Sequence, residues 1–213
     1  MTALASFVSL FVLAGLFALA DWYAVATGLR RLRWLAKPAV MVALIAAASL
    51  LEPRDATVRA WFVVALVLSL VGDVALLLPR ERFVAGLAAF LLAHLAYIVG
   101  LGLRASAPAV GLVGLLVVGA VLASLGRRVF GAVRSDHSKL LLPVAAYMAV
   151  ISAMVVAAFA TGSPTAIAGA TLFYASDANL AWNRFVAQRR WGGLATIVTY
   201  HLGQALLVLS LVG

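Results

Sequence analysis

There is no cysteine among the 213 residues. That excludes a disulfide framework, a thiolate metal site and a cysteine nucleophile. Acidic residues are also scarce, seven Asp and Glu against 16 Lys and Arg. Charged residues make up only 11% of the chain, far below the share that covers a soluble domain. No HExxH, G-x-S-x-G or Walker loop occurs, so the usual signatures of zinc proteases, serine-elbow hydrolases and P-loop enzymes are missing. No low-complexity segment or long polar linker interrupts the chain. One transmembrane domain over residues 1–213 is therefore expected. The N-terminus lacks a basic n-region and a small-residue cleavage site, so the first apolar run is expected to be retained.

What fills the chain is apolar. Hydrophobic residues account for 66%, and the mean hydropathy is +1.13. This composition belongs to an integral membrane protein, and its expected fold is an all-α polytopic helix bundle. Eight spans fit, at about 3–26, 38–51, 60–78, 83–103, 108–125, 140–160, 164–183 and 192–212. The second is short, and Pro38 reads as its first-turn proline.

The basic residues test the count. With eight spans, the odd-numbered loops hold Arg30, Arg31, Arg33 and Lys37; Arg80 and Arg82; Arg127, Arg128, Arg134 and Lys139; and Arg184, Arg189 and Arg190. The even-numbered loops hold Arg54, Arg59 and Arg104. A split of 13 to 3 predicts cytoplasmic odd loops and both termini on the extracytoplasmic side. The net charge of +9 is then explained by topology and lipid headgroups, and no nucleic-acid partner is expected.

Three acids fall inside spans: Asp21, Asp73 and Asp177. A carboxylate at the centre of a span costs about 2.5–3.5 kcal/mol on insertion scales, so such residues face a bundle interior or a wet cavity. Asp21, near the end of its span and not far from Arg30, reads as a structural ion pair. Asp73 and Asp177 each precede an arginine by seven residues, in "GDVALLLPR" and "SDANLAWNR". At about 1.5 Å per residue both lie about 10 Å above the cytoplasmic arginines, at matched depth. Two carboxylates sharing one low-dielectric cavity would titrate apart, giving one acid and one base. The two motifs are four spans apart, and each following span carries a histidine, His94 or His201. That pattern is a faint parallel repeat.

Other polar residues cluster nearby. Phe83, Gly86, Phe90, His94 and Tyr97 share one face of the fourth span. Ser176, Asn179 and Asn183 stand beside Asp177, and Tyr200 and Gln204 are one turn apart on the eighth span. Lys37 is a cation at the inner surface. It reads either as topological bias or as a phosphate contact. No close histidine pair suggests a metal, so no metal and no cofactor are expected.

Taken together, "KP" at 37–38, "GDVALLLP" at 72–79, "RFVAGLAAFLLAHLAYI" at 82–98, "SDANLAWNRF" at 176–185 and "YHLGQALL" at 200–207 resemble the YhhN family. These are bacterial membrane proteins similar to the animal lysoplasmalogenases. His201 stands where an aromatic is expected in that family. The resemblance implies a multi-pass protein of the bacterial inner membrane. It also implies hydrolysis of the vinyl ether of a lysoplasmalogen, giving a fatty aldehyde and glycerophosphoethanolamine or glycerophosphocholine. The substrate partner would be a lysophospholipid taken from membrane lipid.

On that reading Asp73 and Asp177 are the catalytic pair. His94, Tyr97, Ser176, Asn179, Tyr200 and Gln204 would orient water and glycerol. Lys37, with Arg80 or Arg184, would meet the phosphate, and Phe83, Phe90 and Phe173 would line the chain slot. A small proton-coupled transporter or lipid carrier relaying protons through the same acids is the alternative.

Overall fold

The structure, a computed structural model, describes residues 2–51, 55–78 and 82–212. Every regular element among the described residues is helical. Eight helices follow in order: α1 Thr2–Thr27, α2 Arg30–Leu50, α3 Ala56–Leu77, α4 Phe83–Gly102, α5 Pro108–Asp136, α6 Leu141–Ala160, α7 Pro164–Ala181 and α8 Gly192–Leu209. The chain is a multi-pass membrane protein. Seven of the eight helices are long and apolar enough to cross a bilayer. The remaining helix is α7, which carries Ser176, Asp177 and Asn179.

Local signals set the ends. Asp55 caps α3, accepting from the N–H groups of Thr57 at 2.7 Å and Val58 at 3.3 Å. Ser163 caps α7, with Pro164 in the first turn. Gly28, at φ 75°, turns the chain between α1 and α2.

Two expected boundaries need correction. Helix α2 begins at Arg30, so Pro38 lies inside it rather than in its first turn. The missing N–H is tolerated because the helix is held along its length against α1 and α3. Lys37 is therefore a helical residue, and it is buried. Helix α5 continues past residue 125 to Asp136, through a π-helical stretch at Leu122–Gly126. Arg127, Arg128 and Arg134 thus stand on a helix and not in a loop.

Helix contacts run α1–α2–α3–α4–α6–α7–α8 and back to α1, which closes a ring of seven. Helix α5 packs on α6 from outside that ring. The closest approach is between α7 and α8. A Cβ at Gly169 would meet the Leu207 backbone nitrogen at 2.8 Å, and one at Gly203 would meet the Gly169 carbonyl at 2.9 Å. Backbone contact of this kind substitutes for a hydrophobic driving force between helices in lipid.

Candidate active site

The ring brings Asp73 and Asp177 to one cavity of about 300 Å³. Lys37, Arg33 and Arg184 also line it, with Phe83, Phe90, Ser176 and Tyr200. Space for the side chains is made at Gly72, where a Cβ would strike the Phe90 ring at 2.6 Å.

Each carboxylate has its own partners. Asp73 is 1% exposed and ion-paired, with Lys37 Nζ 2.8 Å from its Oδ1. Tyr200 donates its hydroxyl to the other oxygen at 2.7 Å. Asp177 is more open, with its side chain 13% exposed. Tyr147 donates to its Oδ2 at 2.5 Å, and His94 Nε2 lies 3.3 Å from the same oxygen. His94 Nε2 is also 2.9 Å from the Tyr147 hydroxyl. The geometry suits a donor chain from His94 through Tyr147 to Asp177. One aspartate is thus held by a cation and the other by two groups that can carry protons.

The remaining expected site residues divide. Phe83 and Phe90 line the cavity, and Arg184 lies over the Phe83 ring at 4.7 Å. Ser176 lines it too, while its hydroxyl donates to the Thr196 carbonyl at 2.9 Å. Asn179 binds Gly192 O at 2.6 Å and Thr196 Oγ1 at 2.7 Å, tying α7 to α8. Tyr97 and Gln204 are fully buried and bond to each other at 2.6 Å. Neither is among the cavity's lining residues. Phe173 is fully buried and packs edge-on behind His94 and Tyr200, with centroids at 4.8 and 5.2 Å. It buttresses those rings rather than lining the slot. Arg80 lies outside the described residues.

Asn183 lines the cavity beside Ser176, and Tyr147 and Arg33 join the site without a signal in the sequence. Arg33 reaches the cavity with its Nε 3.9 Å from Asp21 Oδ1, so Asp21 meets Arg33 rather than Arg30. His201 accepts a hydrogen bond from Trp22 Nε1 at 3.1 Å on its Nδ1, and its Nε2 lies 4.0 Å from Asp21 Oδ2. His201 thus serves the Asp21 cluster and not Asp73. Among the described residues, no three His, Asp or Glu side chains gather as metal ligands.

A second, apolar cavity of about 80 Å³ adjoins the first. The two share Leu76, Phe83, Phe90, Asp177 and Leu180. Asp177 therefore stands where a cationic polar chamber meets a hydrocarbon-lined one.

A ring of seven helices that encloses a cavity with two carboxylates, with an eighth helix docked outside, defines an integral membrane protein with a polar intramembrane site, cationic at one end and apolar at the other. The chain belongs to the YhhN family, whose model matches residues 32–211. It is 40% identical over 146 residues to the lysoplasmalogenase TMEM86B of Mus musculus, covering 68% of this chain and 61% of that one. The human counterpart is 36% identical over the same length, with the same coverage. A lysoplasmalogenase of Mycobacterium tuberculosis is 40% identical over 154 residues, which is 70% of this chain and 58% of the relative. The chain thus spans about 60% of the length of the curated relatives it matches. No solved structure matches it significantly.

Proposed function

We propose that this protein hydrolyses the vinyl ether bond of a lysoplasmalogen, releasing a fatty aldehyde and a glycerophosphoethanolamine or glycerophosphocholine. The observation that carries this reading is Asp177 at the junction of the two cavities, with Asp73 in the same chamber. The names of the relatives point the same way.

The chemistry needs a proton donor and an anion. Protonation of the β-carbon of the vinyl ether gives an oxocarbenium ion. Water adds to it, and the hemiacetal collapses to aldehyde and alcohol. Asp177 gives the proton and is resupplied through Tyr147 and His94. Asp73, paired with Lys37, stabilises the cation and takes a proton from the attacking water, as carboxylate pairs do in glycoside hydrolysis. Lys37, Arg33 and Arg184 meet the phosphate. Phe83 and Phe90 receive the start of the hydrocarbon chain. Ser176 and Tyr200 face the glycerol, and Tyr97, Asn179 and Gln204 hold the helices that present them. The site works in the inner membrane of the cell, with its cationic end at the cytoplasmic face and both termini outside.

The test is aldehyde release by detergent-purified protein from lysoplasmalogen, beside the ester lysophospholipid of equal chain length. The expected result is aldehyde from the vinyl ether and no fatty acid from the ester. Turnover of both, or of neither, would refute the proposal.

A further inference from the structure

The apolar cavity has a second neighbour. A groove of about 260 Å³ lies between α5 and α7, with Val155 of α6 beneath it. It shares Val121, Leu125, Tyr174 and Ala178 with the apolar cavity, so the two adjoin across these side chains. Its rim is open. Val117 is 40% and Leu125 38% exposed, both on α5, a helix long and apolar enough to cross a bilayer. The outward position of α5, docked on α6 outside the ring, leaves this seam unfilled. The π-helical stretch Leu122–Gly126 lies at the junction of groove and cavity. Such insertions are frequent at functional sites.

From these features we infer that the seam between α5 and α7 is a lateral portal through which one hydrocarbon chain passes between the bilayer and Asp177. The occupant is the alkenyl chain of a lysolipid, and in this the inference rests on the function proposed above. The route is lined mainly by apolar side chains; Thr171, Asn179 and Arg189 are the groove's polar members, Asn179 already bonded to Gly192 and Thr196 and Arg189 lying over the Trp182 ring. A chain of sp³ carbons leaves no polar group unsatisfied along it, whereas a glycerophosphate headgroup would have to shed its water. In the bound lipid, headgroup and chain therefore lie on opposite sides of Asp177, the headgroup in the cationic chamber and the chain in the seam. Val121, Leu125, Tyr174 and Ala178 form the narrow part. Their bulk sets which chains pass.

Two experiments test the portal, and the first does not depend on catalysis. A non-hydrolysable ether lysophospholipid with a diazirine at its chain end is photolysed with the intact protein, and adducts are mapped by peptide. The portal predicts adducts on 117–125 and 171–178, displaced by unlabelled lysolipid. Adducts elsewhere, for instance in the cavity that Phe11, Val40, Leu44 and Leu202 line between α1, α2 and α8, would overturn it, as would a lack of adducts.

In the second, Ala175→Trp and Val117→Trp each narrow the rim. The ratio of kcat/KM for a long-chain over a short-chain vinyl ether should fall by about tenfold, as pocket sterics discriminate among hydrocarbon chains. An unchanged ratio in a folded variant would also overturn the portal. Labelling at the seam without aldehyde release would refute the chemistry and spare the route. Aldehyde release with labelling elsewhere would do the reverse.

Discussion

At the scale of single residues, the two aspartates differ in what holds them. Lys37 and Tyr200 hold Asp73, whereas Tyr147 and His94 hold Asp177. Tyr147→Phe removes the shortest contact to Asp177 and leaves only the longer approach of His94 at 3.3 Å. A hydrogen bond to a charged group is worth about 1.5–3 kcal/mol, so kcat should fall about ten- to hundredfold with little change in KM. An unchanged kcat for the purified variant would remove Tyr147 from the mechanism. Lys37→Met leaves a buried carboxylate without its cation. Breaking such a pair costs about 3–5 kcal/mol. Thermal unfolding in detergent should show a marked drop in Tm, largely restored in the double variant with Asp73→Asn. Equal Tm for Lys37→Met and wild type would mean the pair contributes nothing.

The sequence marked most of these residues. A carboxylate inside an apolar run is visible without a structure, and so are a lone lysine at a span's end and a histidine within a span. Tyr147 was not visible. One phenol in "LLPVAAYMAV" fits a core or interface as well as a site, and only the closure of α4, α6 and α7 gives it partners. Tyr97, Gln204 and Phe173 show the opposite error. They lie on the right helices, yet helical periodicity cannot tell a lining residue from one packed a layer behind.

At the scale of helices, the tightest joint is α7 on α8, where Gly169 and Gly203 let backbones meet. These helices carry Asp177 and Tyr200, so the joint sets the distance across the cavity. Gly203→Val would place side-chain atoms against backbone that cannot move aside. Overpacking of a well-packed contact costs about 1–3 kcal/mol, and more where the neighbour is main chain. Loss of monodisperse protein in detergent, or a clear drop in Tm, is the expected outcome. A variant as stable as wild type would show that the helices can part at no cost.

The repeat suggested by "GDVALLLPR" and "SDANLAWNR" is only partly kept. Asp177 takes a ring from α4 and Asp73 takes one from α8, but those rings are His94 and Tyr200, which are not matched positions. Proline favours first turns, so Pro38 points to a later start for α2 than the Arg30 at which the helix begins. The preceding "RRLRWLAK" is charged enough to pass for a loop, although in the fold its apolar residues and arginine stems continue the helix.

At the scale of the whole molecule, the number of helices and their order follow from apolar run length and alternating loop charge. The ring does not. Nothing in hydropathy says that α4 neighbours α6 or that α5 stands outside, because those contacts depend on shape complementarity between distant helices. The proposed orientation can be checked directly. Reporter fusions at the two termini should behave as extracytoplasmic, and fusions after Leu78 or Val186 as cytoplasmic. A terminus and the Val186 junction on the same side would contradict an eight-span topology.

The central claim is that Asp73 and Asp177 together break a vinyl ether. Its most direct test is aldehyde release from lysoplasmalogen by purified Asp73→Asn and Asp177→Asn variants, each shown to be folded, beside wild type. The account predicts that each variant loses about 100- to 10,000-fold in kcat, the usual range for removing a general acid or base. Near-normal aldehyde release from either variant would contradict it.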